Sequence, residues 1–507
     1  MSSLSTIAII VAIIGLIFMA YRGWSIILIA PIMAVVAAIG CGDSILSVIQ
    51  NVYLIKAAEY IGKYFPVFLF GAIFAKLMEE GGLAKSIANK IVDLLGAKRA
   101  ILAVILGCGV LTYGGLSVFV VAFVMYPFGA VLFREAGIPK RLMPTALWTG
   151  IFTFAMVALP GTPQTQNIIP TEYFGTTTWS GIVLGLFASV LFFAIGFGYL
   201  TYRAKSLMKK GEGYGNYNDQ KSDADGVLPN WCVSLIPLLM VIVLNILLSN
   251  PFKWEWAKSF QIPSLWAISI SIILASIVAI IIGKERLFKE GEATCRKLIN
   301  TSAISSGTAI FNVASGYAFG CVLTSVVGFE IISQMLLKLS ESGNPLFSAV
   351  LATNIMGGIT GSASSGMTIA LAKFGETWKE LALASGISLD ALHRIVAVSA
   401  IGIDPVPHCG ALVTMFAICG LTHKESYFDL VMLMVLKFFV PFLCVIFYMI
   451  TQIMTQAANI AVNFGKLVDF ALNFDCAIFQ QQTFLFFVFA TNQILELNHR
   501  RNYYAQQ

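Results

Sequence analysis

Between residues 142 and 171 the sequence runs for 30 residues without an Asp, Glu, Lys or Arg, and similarly uncharged apolar runs recur at 100–133, 342–372 and elsewhere from end to end. A helix needs roughly 20 apolar residues to cross the hydrocarbon core of a bilayer. The repeated runs therefore predict an all-α polytopic membrane protein, since a continuous apolar run satisfies its backbone groups in lipid only as a helix. The strands of a β-barrel would alternate in short segments instead. Of the 507 residues, 58% are hydrophobic and only 11% charged, which excludes an ordinary soluble enzyme with a solvated charged surface. The net charge of +6 is small, so the reading includes no nucleic-acid partner and takes the basic residues as markers of cytoplasmic loops. The nine cysteines show no C-x-x-C spacing and lie mostly inside apolar runs, as small packing residues do, so neither metal sites nor disulfides are expected. The stretch 4–20 has no basic n-region and reads as a retained first span rather than a signal peptide.

Two charge-rich loops, 203–230 and 284–297, anchor the predicted topology on the cytoplasmic side and place the N-terminus outside. Spans are expected near 4–20, 24–40 and 65–79. They are followed by a hairpin within 100–133, a helix broken at Pro160-Gly161-Thr162-Pro163, and a span near 179–202. The second half gives the same order: spans near 231–249, 264–283 and 306–328, a hairpin centred on 357–366, a segment 391–422 interrupted at Asp404-Pro405-Val406-Pro407, and a span near 427–451. Thr112 precedes Pro160 by 48 residues and Thr360 precedes Pro407 by 47. Five crossings per half is an odd number, so the halves should enter the membrane in opposite senses. The expected organisation is two inverted-topology repeats, 1–202 and 231–451, joined by a cytoplasmic linker at 203–230, with a tail at 452–507 of no assigned role. Paired interrupted segments at corresponding positions point to a transporter's binding site, because open helix ends are tolerated only around a polar cavity.

A helix broken at mid-membrane leaves main-chain N–H groups open at the start of one arm, and such ends favour anions. The hairpins and breaks offer Thr112, Tyr113, Gly114, Gly115 and Ser117; Gly161, Thr162, Gln164, Thr165 and Asn167; and Thr360, Gly361, Ser362, Ser364 and Ser365 as substrate-binding candidates. No Lys or Arg stands at these breaks, so donors would come from backbone and hydroxyls, which suit a substrate carrying hydroxyls itself. Any single small residue among them is equally well explained by close helix packing. The pairing of two such clusters in register favours binding.

Asp404 and His408 are the ionisable groups nearest a break, and charge at membrane depth usually lines a functional pathway. Asp404 is read as a proton carrier or as an acceptor for loop N–H groups, and His408 as a proton relay or a packed, hydrogen-bonded side chain. Glu330 and Lys437 are expected near the interfaces, where long side chains snorkel. The stretch 83–95 reads as an amphipathic helix on the cytoplasmic surface. No G-x-x-x-x-G-K-[ST], H-E-x-x-H or G-x-S-x-G occurs, so the chain is read as a non-enzyme without ATP coupling, metal or organic cofactor. Asn300-Thr301-Ser302 matches a glycosylation sequon on the side predicted to be cytoplasmic.

The blocks Leu111-Thr112-Tyr113-Gly114-Gly115-Leu116-Ser117, Phe133-Arg134-Glu135-Ala136-Gly137-Ile138-Pro139-Lys140-Arg141-Leu142 and Leu159-Pro160-Gly161-Thr162-Pro163-Gln164-Thr165-Gln166-Asn167 resemble the gluconate permease (GntP) family of bacterial proton symporters. Gly361-Ser362-Ala363-Ser364 and the turn from Asp404 to Gly410 look like the matching motifs of the second half. The resemblance covers about 1–451. It implies an ion-transporter fold of inverted repeats, a homodimer built on scaffold helices, and a transport domain that moves as an elevator. It also implies import of a hydroxylated monocarboxylate such as gluconate or 3-hydroxybutyrate with protons. Gluconate carriers of the family usually have histidine around the first broken helix, and the stretch 159–163 has none, which favours a shorter hydroxy or keto acid.

The expected function is a symporter for a small organic anion in a bacterial inner membrane, with the lipid bilayer as its other partner. The coupling ion is read as H+, with Na+ as the rival. An anion channel or uniporter on the same scaffold is the reading from another class.

Overall fold

The computed structural model describes residues 2–451 apart from 23, 218–227, 261, 290, 327–328, 330–333, 335–343 and 408. The predicted tail 452–507, His408 and Glu330 lie outside the described residues. Among those residues the chain is helical throughout. Eight helices are long and apolar enough to cross a membrane, or nine if the bent pair Leu83–Leu95 and Ala97–Tyr113 makes one span.

Helices α1 (Ser2–Tyr21) and α2 (Ile26–Cys41) pack as a pair and lead into α3 (Ile45–Glu80). Next come α4 (Leu83–Leu95), the hairpin α5 (Ala100–Tyr113) and α6 (Val118–Glu135), the broken pair α7 (Met143–Ile151) and α8 (Thr165–Phe174), and α9 (Ile182–Lys209). The second half contributes α10 (Trp231–Ser249), α11 (Ser264–Leu287) and α12 (Glu292–Ser325), then the hairpin α13 (Pro345–Thr360) and α14 (Ala363–Ala384). It ends with the broken pair α15 (Leu389–Ser399) and α16 (Gly410–Cys419), and α17 (His423–Thr451). Apart from α4, the order of the described elements in the first half recurs in the second. The segment Phe252–Ser259 belongs to a small separate unit in which the indoles of Trp254 and Trp256 stack at 5.4 Å.

The apolar residues divide between a packed interior and an outward coat. Trp148, Phe319, Trp378 and Ile395 are buried, while Ile14, Val190, Ile281 and Ile450 stand exposed. On a soluble protein such a surface would drive association; in a bilayer it faces lipid.

Several boundaries differ from the sequence expectation for one reason: charge does not end a helix when it is paired or placed outward. Helix α3 begins at Ile45 rather than near 65, since Lys56 and Glu59 pair at 2.8 Å on its surface. Helix α12 begins at Glu292 rather than near 306, and α9 runs to Lys209, so the predicted linker starts inside a helix. The second hairpin breaks only at Gly361 and Ser362, while Gly357 and Gly358 stay helical. There Gly366 of α14 lies against the Gly357 backbone so closely that a Cβ would come within 2.2 Å of its nitrogen, so the glycines let the two arms touch. Helix α4 coincides with the predicted amphipathic helix, packs against α5 and meets it at a 96° bend.

Candidate functional site

Each interruption ends one helix and starts another with an open N-terminus. In the first hairpin, Gly115 takes φ +92°, a conformation only glycine adopts without strain, and Ser117 precedes α6. In the first broken helix, a π-helical turn at Phe154–Ala158 is followed by extended Leu159, by Gly161 at φ +79°, and by Gln164 at the start of α8. The second hairpin turns at Gly361 with φ +60°, and the Ser362 hydroxyl accepts from the Ser365 N–H as an N-cap. In the second broken helix, residues between Ser399 and Gly410 carry Asp404, and extended Cys409 precedes α16.

Polar side chains tie these breaks together. The Tyr113 hydroxyl donates to the Pro160 carbonyl at 2.8 Å, and the Gln164 amide donates to the carbonyls of Thr112 at 2.8 Å and Leu116 at 3.3 Å. The Ser365 hydroxyl donates to Val313 of α12 at 3.3 Å.

The N-terminal ends of α6, α8, α14 and α16 all line one open cavity of about 1190 Å³. Of the residues singled out in the sequence, Gly115, Ser117, Gln164, Thr165, Thr360, Gly361, Ser362, Ser364, Ser365 and Asp404 line it. The others do not. Thr112 is fully buried with its hydroxyl unpartnered, and Tyr113 and Gly114 lie behind the wall, the latter against Leu238. Gly161 packs under the Trp179 indole. Thr162 donates to the Ala155 carbonyl at 2.8 Å, and Asn167 donates to the carbonyls of Thr162 at 2.9 Å and Thr178 at 2.8 Å, so both hold the shape of the break.

The wall also carries residues the sequence reading passed over. Gln166 joins it from α8, and Thr301, Ser305, Thr308 and Asn312 from α12. For the α12 residues the sequence signal is a hydroxyl-rich face on a helix that starts at Glu292 rather than near 306. At one edge of the cavity Lys76 pairs with Glu79 at 3.0 Å and Glu80 at 2.8 Å.

The model of the GntP family permease matches residues 4–454. The chain belongs to the GntP family of permeases, membrane transporters. An uncharacterized transporter of Bacillus subtilis (strain 168), YxjC, is 36% identical to the permease over 463 residues, which cover 86% of this chain and 97% of that protein. Among solved structures, the YdaH transporter of Alcanivorax borkumensis aligns with a TM-score of 0.51 at 13% identity, over 81% of the permease and 88% of that chain. That likeness concerns the fold.

Three buried ionisable groups of the permease change the sequence picture. Lys437, expected to snorkel at an interface, is fully buried and donates to Asp404, because α17 packs beside α7 and close to the second break. Arg394, near the start of the segment expected over 391–422, is fully buried on α15. It donates to Ser180 at 2.7 and 3.0 Å, Val157 at 3.0 Å and Thr178 at 3.1 Å, all main-chain carbonyls. His393 beside it contacts Thr176 at 2.7 Å and Asn167 at 3.3 Å. The signal was there in two adjacent ionisable residues within an apolar segment. Their role is to bind the broken helix of one half to that of the other.

Proposed function

We propose that this permease is a secondary active transporter that imports a small hydroxylated monocarboxylate together with a proton across a bacterial inner membrane. The observation that carries the reading is the convergence of four helix N-terminal ends on one cavity with the hydroxyls of Ser117, Thr165, Ser362, Ser364 and Ser365 between them. Open N–H groups and the partial positive charge of such ends bind a carboxylate without a dedicated arginine, and the hydroxyls match those of the substrate.

The repeated order of elements fits two halves of opposite orientation, each giving a hairpin and a broken helix to a shared site. On the positive-inside reading, the ends of α3 and α12 that carry Lys76 and Thr301 face the cytoplasm, so the cavity opens inward. Charge favours coupling: moving one elementary charge costs about 2.3 kcal/mol per 100 mV, so accumulation of an anion in a negative-inside cell is opposed unless a cation travels with it. Asp404, at the cavity wall, is the proton carrier in this reading.

The test is uptake of labelled 3-hydroxybutyrate and gluconate by the purified chain in proteoliposomes, after a thermal-shift panel of hydroxy, keto and sugar acids. Accumulation above equilibrium that collapses with a protonophore supports the proposal. Accumulation that follows a Na+ gradient instead replaces the coupling ion. Equilibration without accumulation makes the protein a uniporter.

A further inference from the structure

Asp404 and Lys437 stand 33 residues apart in sequence, yet form a buried pair at the cavity wall. Asp404 lines the cavity close to the N-terminal end of α16, whereas Lys437 lies behind it, with its ammonium 5.8 Å from the centre of the Trp148 ring. Among the described residues, the polar groups that also face this corner include the Cys409 thiol, the Trp148 indole N–H, the Tyr427 hydroxyl, bonded to the Pro405 carbonyl at 3.1 Å, and the His423 ring, 3.2 Å from the Pro407 carbonyl. Asp404 is therefore the acid that neutralises Lys437. Cys409, which precedes α16 and lines the cavity, interacts with both charges, so a carboxylate held by the start of α16 would lie beside Asp404 with Lys437 directly behind it.

We propose that Lys437 is the fixed counter-cation of the transport cycle, pairing with ionised Asp404 in the empty carrier and with the bound substrate carboxylate once Asp404 is protonated. The proposal deepens the symport reading and rests on it. A carboxylate placed beside ionised Asp404 is repelled, so its binding favours the protonated acid. One proton from the outer side goes onto an Asp404 carboxylate oxygen as one carboxylate enters, and it leaves to the inner side when the anion departs. In the empty state one negative and one positive side chain cancel. In the loaded state the carboxylic acid is neutral and the ammonium cancels the substrate. Both forms cross the membrane interior without net charge, which is the costly condition there. Asp404 alone would leave the loaded form with one negative charge.

The experiment uses the full-length chain in proteoliposomes with labelled 3-hydroxybutyrate and gluconate, comparing exchange against unlabelled acid with net uptake driven by a pH gradient. Asp404→Asn is expected to lose net uptake at least about tenfold more than it loses exchange, because its loaded form remains neutral and its empty form does not. Asp404→Asn combined with Lys437→Gln is expected to lose exchange as well. Wild-type net uptake is expected to be indifferent to a membrane potential clamped with valinomycin, a measurement that needs no variant to fold. Full pH-driven accumulation by Asp404→Asn, equal exchange by the double variant, or wild-type uptake that tracks the membrane potential would each overturn the counter-cation role. Lack of wild-type uptake of either acid would instead remove the functional reading beneath it.

Discussion

The side-chain amide of Gln164 donates to the main-chain carbonyl of Thr112 at 2.8 Å, tying the first broken helix to the end of the first hairpin arm. The same nitrogen reaches the Leu116 carbonyl at 3.3 Å, just before the Ser117 cap of α6. Gln164→Leu leaves both carbonyls without this donor in a half-buried setting, at an expected cost of about 1–3 kcal/mol. Thermal unfolding in detergent should show the loss. The concentration dependence of uptake should show a raised KM, because the N-terminal ends of α6 and α8 lose their mutual register. Wild-type values in both measurements would make the link incidental.

Arg394 makes four hydrogen bonds to carbonyls on the other half of the chain and has no carboxylate partner among them. Arg394→Ala is expected to destabilise by at least about 3 kcal/mol, since buried carbonyls lose a charged donor. Arg394→Lys is expected to recover little, because a single ammonium cannot reproduce the planar fork that spans Val157, Thr178 and Ser180. The yield of folded protein after size-exclusion chromatography, with the thermal midpoint, checks both. Rescue by lysine would show that charge alone matters.

Patterns set by short-range chemistry were legible in the sequence, and those set by packing between distant segments were not. Gly115, Gly161 and Gly361 all take positive φ at the turns their motifs marked, and the helices they interrupt end there. Which hydroxyls face the cavity depends on helix rotation, so Ser364 and Thr162 looked alike in sequence while one lines the wall and the other braces it from behind. Lys437 and Asp404 could not be paired in advance, because nothing local brings α17 to the second break. The hydroxyl face of α12 was hidden by treating polar residues as a helix boundary, when a wet cavity lets them continue the helix.

That distinction separates two alanine substitutions. Ser364→Ala removes a cavity-wall hydroxyl that lies 3.4 Å from the Ser362 hydroxyl, so KM should rise several-fold with little change in thermal midpoint. Thr162→Ala removes the bond to Ala155 inside the break and should lower stability by about 1 kcal/mol, with KM changed less than by Ser364→Ala. Measuring KM and thermal midpoint on both variants decides the matter. The opposite pattern would move the binding surface to the far side of the first break.

The last prediction concerns a cluster of tyrosines on α3 and α12. Tyr60 and Tyr64 hold their ring centres 4.7 Å apart, and Tyr317 lies 5.1 Å from Tyr60. All three rings are buried, and the Tyr64 hydroxyl has no hydrogen-bond partner among the described residues. A buried hydroxyl left unpaired costs stability that a phenylalanine of the same shape would not. Tyr64→Phe is therefore expected to leave stability unchanged or to raise it by up to about 1 kcal/mol, read as an equal or higher thermal midpoint, while keeping the ring contacts. If the Tyr64 hydroxyl gains a partner in another state of the transport cycle, the same substitution favours the arrangement seen here. Maximal uptake then falls while binding in a thermal-shift titration stays at the wild-type level. A drop in stability would show instead that the Tyr64 hydroxyl is already bonded in the resting protein.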